Sequence, residues 1–128
     1  MVEVTSAIET PRRGNERLLL VEDETALQRA TSRILGQQGY EVVLASDGVE
    51  ALEIFGHDGN GIALVLTDMA MPRMRGDELA QELSARRPEV AIIVMSGYDF
   101  GDAPLANRLT KPVAPEALLR AVREALDG

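Results

Sequence analysis

The sequence is short of several residue types that whole classes of site require. It has no cysteine and no tryptophan, and its aromatic side chains are two phenylalanines and two tyrosines. Without cysteine, disulfide scaffolds, thiolate metal sites, iron–sulfur clusters and cysteine nucleophiles are excluded. With so few rings, a site that stacks sugars or bases on aromatic side chains is not expected.

Long apolar runs and excess positive charge are also missing. No run approaches the roughly 20 residues that span a bilayer, and the first 17 residues lack the apolar stretch of a signal peptide. Thirteen basic residues against twenty-one acidic ones give a net charge of −8. Because nucleic acids and anionic membranes attract positive surfaces, this balance argues against both as partners. We expect a soluble chain in the cytoplasm.

The composition is otherwise that of an ordinary globular domain. The chain has 128 residues, of which 45% are hydrophobic and 27% charged, enough for one domain with its own core. Residues 1–16 mix Thr, Ser, Pro, Gly and charges without sustained periodicity, so they are interpreted as a flexible tail or linker. Residues 17–128 are predicted to form the folded domain.

Short apolar runs alternate with segments of helical spacing along residues 17–128. Runs of this length typify strands that are buried on both faces of a parallel sheet. Five are predicted, at 18–21, 41–44, 62–66, 90–95 and, more weakly, 108–110. Helical faces lie between them: Leu27, Ala30, Ile34 and Leu35, then Val49, Leu52 and Phe55, then Leu79 and Leu83, and last Leu118, Ala121, Val122 and Ala125.

This alternation predicts an α/β fold: a doubly wound, five-stranded parallel sheet of the flavodoxin-like kind, with strand order 2-1-3-4-5. One connection is unusually short. Between Ser96 and the weak fifth strand about eleven residues remain, and they include Gly97, Gly101 and Pro104. A crossover with its helix needs at least about 10–12 residues, so the fourth helix is expected to be short or irregular.

Charged and polar residues follow the predicted strands, and in open α/β sheets ligands bind beyond the carboxyl ends of the strands. Two unit charges about 4 Å apart repel by about 4 kcal/mol at an effective dielectric near 20, so clustered carboxylates favour a bound cation. Mg²⁺ suits one or two carboxylates together with phosphate oxygens. The converging residues are Glu22 and Asp23 after the first strand, Asp68 after the third, Ser96 after the fourth and Lys111 after the fifth.

Four motifs stand in order at these strand ends: LLLVEDE, LVLTDMAMPRMRG, IIVMSGY and LTKP. Together they resemble the receiver domain of bacterial two-component response regulators over roughly residues 17–127. The details of VEDE, LTDMAMP and MSGY resemble most closely the C-terminal receivers of hybrid sensor histidine kinases. The resemblance implies a phosphoacceptor domain in two-component or phosphorelay signalling, with a histidine kinase or a histidine phosphotransfer protein as its partner.

The resemblance also implies a role for each motif residue. Asp68 would accept the phosphoryl group from phosphohistidine, and a carboxylate is chemically able to do so. Asp23 and Asp68 would bind Mg²⁺ directly, Glu22 would bind it through water, and the backbone carbonyl of Ala70 would complete the metal shell.

Further residues would contact the phosphoryl group or its surroundings. Ser96 would bond one phosphoryl oxygen and Lys111 would form an ion pair with another, while Gly97 would leave room beside them. Pro112 would follow a cis peptide bond. Tyr98 matches a position that tunes dephosphorylation, for which Ala70 holds the companion position.

Two features depart from the family pattern. Arg108 stands where an aromatic switch residue is usual, three residues before Lys111, and the fourth helix is short. We therefore expect this domain to relay or store a phosphoryl group and not to switch a fused effector by the aromatic route. Dimerisation on phosphorylation through residues 98–110 would contradict that hypothesis.

Other functions fit the sequence less well. A haloacid-dehalogenase-like phosphatase would need a second Asp two residues after Asp68, where Ala70 stands. A histidine phosphotransfer module would need its histidine on a helix, whereas His57 lies among glycines. Nucleotide-binding glycine loops are missing. The remaining alternative is a degenerate receiver that works as a phosphorylation-independent interaction module. The chain itself is not expected to be an enzyme beyond assisting its own phosphotransfer and dephosphorylation.

Overall fold

A five-stranded parallel sheet organises the fold. The computed structural model describes residues 12–57, 59–97 and 108–128. The strands lie in the order β2-β1-β3-β4-β5, and every neighbouring pair is parallel. The predicted fold class and strand order are therefore confirmed. The strands are β1 (Arg17–Val21), β2 (Glu41–Ala45), β3 (Ile62–Asp68), β4 (Ala91–Ser96) and β5 (Arg108–Thr110).

Four α-helices connect or follow these strands within the described residues, and two of them begin at a start signal in the sequence. Asp47 caps the second helix by accepting a hydrogen bond from the backbone N–H of Glu50, and Pro115 occupies the first turn of the last helix, where its missing N–H is harmless. The helices are α1 (Thr25–Gln37), α2 (Gly48–Phe55), α3 (Gly76–Arg86) and α4 (Pro115–Asp127).

The sheet is covered on both faces, as a parallel sheet requires. One core packs α1 and α4 against side chains such as Leu18, Leu20 and Leu66. The other packs α2 and α3 against Leu19 and Val65. Alternate residues of each buried strand thus serve opposite cores, because successive side chains point to opposite faces.

The burial of α1 differs in one position from the predicted face. Ala30 is exposed, whereas Thr31 is buried beside the expected Leu35. The buried face is thus turned by one residue. The helix predicted between Ser96 and β5 falls on residues 98–107, outside the described part of the chain, so its shortness stays a prediction.

Residues 12–16, at the end of the predicted tail, contact the domain. The N–H of Gly14 donates to the carbonyl of Gln38, and the carbonyl of Glu16 accepts from the N–H of Glu41 at the start of β2. Arg13 donates to the carbonyl of Gln37 at the end of α1. This segment therefore lies against the end of the sheet at which the strands begin.

Candidate functional site

Three carboxylates converge at the carboxyl ends of β1 and β3. Glu22 and Asp68 are 2% and 7% exposed, and Asp23 between them in the chain is exposed. One oxygen from each of the three lies within 4.8 Å of the other two. In residues 12–57, 59–97 and 108–128, this is the one group of three possible metal-binding side chains that approach so closely.

Lys111, which follows β5, reaches into this carboxylate cluster. Its Nζ lies 2.8 Å from Oδ1 of Asp68 and 3.5 Å from Oε1 of Glu22. Burial alone would lower the pKa of Lys111, but the hydrogen bond to Asp68 and the two nearby carboxylates outweigh it and raise the pKa above its ordinary value. The ammonium is therefore held in its charged form.

The surroundings of Glu22 disfavour its charged form. Burial raises the pKa of its carboxyl group above the ordinary value, and the negative charge of Asp68 adds to this effect. The N–H of Glu24, which donates to Oε2 of Glu22 at 3.1 Å, and the ammonium of Lys111 offset it in part. The single positive charge of Lys111 therefore does not balance the negative charges of the three carboxylates.

The other residues predicted for the site lie on the same edge of the sheet. Ser96 ends β4 and is buried, and its carbonyl accepts from the N–H of Lys111 at 2.8 Å. Ala70 is exposed two residues after Asp68. The Lys111–Pro112 peptide is cis, as expected.

Gly97 and Arg108 stand at the two borders of the undescribed segment. A Cβ atom added to Gly97 would meet no heavy atom of the described residues within 4 Å. Arg108 begins β5, is exposed and pairs in register with Val94. Tyr98 lies outside the described residues.

The end of the loop that follows β3 returns to the carboxyl end of that strand, where α3 begins. The N–H of Gly76 donates to the carbonyl of Met69 at 2.8 Å, and an added Cβ at Gly76 would collide with the carbonyl oxygen of Asp68. Glycine is thus required where α3 begins. Farther out, Arg73 forms an ion pair with Asp47 at 2.6 Å, so this loop is also tied to the start of α2.

The donor set fits Mg²⁺. Mg²⁺ prefers oxygen ligands and is usually held by one or two carboxylates, with water and phosphate oxygens in its remaining positions. The cluster offers three carboxylates, one of them exposed, and one neighbouring ammonium. A divalent cation would remove the under-compensation of Glu22 and Asp68.

A second ionic cluster lies at the opposite end of the sheet, around Arg123 of α4. Nη2 of Arg123 lies 2.7 Å from Oε2 of Glu16 and 2.9 Å from Oδ1 of Asp127, and Nη1 donates to the hydroxyl of Tyr40 at 3.3 Å. Arg12 pairs with the same Asp127 oxygen at 2.8 Å. The Arg123 side chain is 8% exposed, and its hydrogen bonds to Glu16 and Asp127 hold its pKa above the ordinary value.

Sequence reasoning missed this Arg123 cluster. The signal was available in part, since Arg123 follows Leu119 by four residues and therefore lies on the buried face of α4. A charged residue on an apolar helix face indicates a buried partner. Its partner Glu16 could not be identified that way, because it lies 107 residues earlier.

Comparison with known proteins identifies the domain. Residues 18–123 match the family model described as the response regulator receiver domain. Over 122 residues the chain is 38% identical to the sensor kinase CckA of Brucella abortus, covering 89% of this chain and 13% of that protein. The chain spans between 13% and 50% of the length of the first curated relatives it matches.

Two solved structures share both the fold and part of the sequence. The receiver domain of the hybrid histidine kinase CckA is 34% identical with a TM-score of 0.76, over 86% of this chain and 98% of that one. The response regulator TrrA of Thermotoga maritima, solved in complex with Mg²⁺-BeF, is 28% identical with a TM-score of 0.78, over 86% and 98% of the two chains.

No described helix is both long and apolar enough to cross a membrane.

The family model covers most of the chain. The strand order and the acidic cluster at the strand ends agree with this match. This chain belongs to the response regulator receiver domain family, the phosphoacceptor domains of two-component signalling.

Proposed function

We propose that Asp68 is the phosphoacceptor of this domain and that it takes the phosphoryl group from a phosphohistidine on a histidine kinase or a histidine phosphotransfer protein. The observation that carries the proposal is the 2.8 Å contact between Asp68 and Lys111 inside a cluster of three carboxylates. A buried carboxylate held by an ammonium is oriented for attack, and the same ammonium is available to the incoming anion.

The transfer moves one phosphoryl group and breaks one bond. A carboxylate oxygen of Asp68 forms a bond to phosphorus, and the phosphorus–nitrogen bond of the phosphohistidine breaks with its electron pair on the ring nitrogen. The imidazole leaves neutral when its other ring nitrogen carries a proton. The product is an aspartyl phosphate, so no further reactant is needed.

The neighbouring residues have separate tasks in this proposal. Glu22, Asp23, Asp68 and the carbonyl of Ala70 would hold Mg²⁺, which supplies positive charge against the phosphoryl oxygens when it is bound. Lys111 would follow the negative charge from the Asp68 carboxylate to a phosphoryl oxygen.

Ser96 would donate its hydroxyl to another oxygen, with Gly97 leaving space beside it. Tyr98 and Ala70 would flank the aspartyl phosphate and tune its hydrolysis. The domain would thus assist its own phosphorylation and dephosphorylation without being an enzyme for another substrate.

The wider setting follows from the same proposal. Residues 17–128 form the receiver, residues 1–16 form a tail or linker whose last residues, 12–16, lie against the domain, and the reaction takes place in the cytoplasm. The similarity to the sensor kinase CckA and to its receiver domain supports a place in a phosphorelay, as part of a hybrid histidine kinase or beside one. Because Arg108 occupies the usual place of the aromatic switch, the domain relays or stores the phosphoryl group instead of switching an effector by that route.

The test is the intact mass of the protein after incubation with MgCl₂ and acetyl phosphate. Wild type is expected to gain the mass of one phosphoryl group, and this gain should be absent with EDTA and in Asp68→Asn. Asp77→Asn is the matched control, because Asp77 lies on α3 and pairs with Arg75 outside the carboxylate cluster. It should be phosphorylated like wild type.

The proposal would be contradicted if the wild-type protein gained no mass from acetyl phosphate and none from a phosphorylated histidine phosphotransfer protein. The result would favour the phosphorylation-independent interaction module. Gain of mass in Asp68→Asn would instead move the phosphoacceptor to another residue.

A further inference from the structure

The side chain of Gln28 binds the backbone beneath the acidic loop. Gln28 lies in the first turns of α1, and its Nε2 donates to the carbonyl oxygen of Glu22 at 3.1 Å and to that of Ala45 at 3.2 Å. Ala45 is the last residue of β2. One side-chain amide thus connects the turn after β1, the end of β2 and the start of α1.

These contacts lie at the point where the backbone hydrogen bonds between β1 and β2 end. The N–H of Glu22 donates to the same Ala45 carbonyl at 3.0 Å, which is the last backbone bond between β1 and β2. After Glu22 the chain leaves the sheet, and Glu22 and Asp23 carry two of the three carboxylates of the cluster. The Gln28 amide therefore donates a second hydrogen bond to the Ala45 carbonyl. It also donates one to the Glu22 carbonyl, which lies beyond the last hydrogen bond between β1 and β2.

Electrostatic repulsion acts against this arrangement when no cation is bound. Glu22, Asp23 and Asp68 bring three carboxylates together, and one ammonium opposes them. A loop that is free to move would relieve the repulsion by carrying Glu22 and Asp23 away from Asp68. The cost of bringing them back would then reduce the affinity for a cation, because binding must include that ordering.

We propose that Gln28 is a positioning residue, which holds the backbone of the acidic loop so that Glu22 and Asp23 face Asp68 before a divalent cation binds. The inference rests on the proposed function, since it assigns a residue to the preparation of the same site. It extends the site to a neutral side chain that touches neither the cation nor the phosphoryl group.

The test compares one substitution at two ends of the same helix. Gln28→Met keeps the length and apolar stem of the side chain and removes its N–H donors. Gln37→Met is the matched control, because Gln37 is the exposed last residue of α1. Titration of each metal-free protein with MgCl₂ by calorimetry gives the Kd, and thermal unfolding gives the stability.

A weakened Mg²⁺ affinity in one variant alone is the expected result. Losing the restraint of about one hydrogen bond corresponds to a rise in Kd of about fivefold for Gln28→Met. Gln37→Met should leave the Kd unchanged. Phosphorylation by acetyl phosphate should shift to higher Mg²⁺ in Gln28→Met, with a rate at saturating Mg²⁺ within about twofold of wild type, since the cation restores the same loop arrangement.

Two further variants test the geometry and protect the experiment against misfolding. Gln28→Arg keeps N–H donors and is expected to restore the wild-type Kd. Gln28→Asn keeps the amide but is one methylene shorter, so it cannot span both carbonyls and should weaken Mg²⁺ binding as Gln28→Met does. If Gln28→Met does not fold, Gln28→Asn carries the comparison.

Loss of thermal stability in Gln28→Met with an unchanged Mg²⁺ Kd would overturn the inference, because the residue would then be merely structural. An equal rise in Kd in Gln37→Met would overturn it as well. Failure of the proposed function is distinguishable, since wild type itself would then fail to become phosphorylated on Asp68.

Discussion

The two ends of the sheet each carry an ionic cluster, and the two clusters differ in charge balance. At the carboxyl end, Glu22, Asp23 and Asp68 converge, and a single cation, Lys111, contacts Glu22 and Asp68. At the other end, two arginines meet two carboxylates, with a tyrosine hydroxyl as a further partner of Arg123; the residues are Arg12, Arg123, Glu16, Asp127 and Tyr40.

This difference separates a structural cluster from a binding site. The Arg123 cluster satisfies its own charges and has no need of a ligand. The carboxylate cluster holds unbalanced negative charge against the core, which costs free energy until a cation binds. Both clusters are ionic and partly buried, so charge balance is the property that distinguishes them.

The largest expected effect on stability comes from removing the guanidinium group of Arg123 from the Arg123 cluster. Arg123→Met should lower the free energy of unfolding by about 2 kcal/mol, because Glu16 and Asp127 lose their common partner while the buried stem is kept. Urea unfolding measures the change. Phosphorylation per folded molecule should stay at the wild-type level, and a parallel loss of phosphorylation would show that the two ends are coupled.

The same substitution at the two ends should change stability in opposite directions. Without Mg²⁺, Asp68→Asn is expected to raise the free energy of unfolding by about 1 kcal/mol, since it relieves the repulsion on Glu22. Asp127→Asn should lower it by about 0.5 kcal/mol, because it removes a partly exposed partner of Arg123. Urea unfolding of both variants in EDTA makes the comparison; equal signs would contradict the distinction drawn from charge balance.

The pH dependence of stability should also differ in sign. The folded-state pKa of Glu22 is raised, so the stability that its protonation contributes is full below 4.5 and is lost as pH rises through the folded pKa. The pKa of Glu16 is lowered, chiefly by its hydrogen bond from Arg123, so its contribution is present above 4.5 and is lost as pH falls.

Each wild-type curve is therefore compared with that of its Gln variant in EDTA. As pH rises from 4.5 to about 7, wild type should lose stability relative to Glu22→Gln. As pH falls below 4.5, wild type should lose stability relative to Glu16→Gln. Mg²⁺ should abolish the first trend and leave the second unchanged. A trend for Glu22 that persists in saturating Mg²⁺ would place its pKa shift outside the cation site.

The smallest expected effect on stability concerns Arg12, the exposed arginine of the Arg123 cluster. The side chain of Arg12 is 68% exposed, and exposed ion pairs contribute little. Arg12→Ala should therefore change the free energy of unfolding by less than about 0.5 kcal/mol, measured by urea unfolding beside Arg123→Met. A loss as large as that of Arg123→Met would mean that the outer pair, and not the buried arginine, anchors residues 12–16.

Local patterns in the sequence account for the fold and for the membership of the carboxylate cluster. Continuous apolar runs and helical spacing sufficed for β1 to β5, and Pro115 marked the start of α4. The parallel arrangement then placed Glu22, Asp68 and Lys111 together, because all three lie at the carboxyl ends of strands.

The interactions that depend on distant residues could not be obtained that way. Arg123 pairs with Glu16 only because α4 returns to the end of the sheet at which β1 begins. Gln28 meets the Ala45 carbonyl only because Val21 pairs with Ala45 in the register of β1 and β2. Arg73 pairs with Asp47 only because two distant loops meet after folding.

The ion pair between Arg12 and Asp127 has a mechanical consequence. Nη2 of Arg12 lies 2.8 Å from Oδ1 of Asp127, so the start of the described residues is linked through this side chain to the last residue of α4. A pull on either end would act near a single point, at the edge of the sheet farthest from Asp68. The Arg12–Asp127 pair thus lies at the opposite end of the sheet from the three carboxylates, so a load on these two residues would not be applied at the carboxylate cluster.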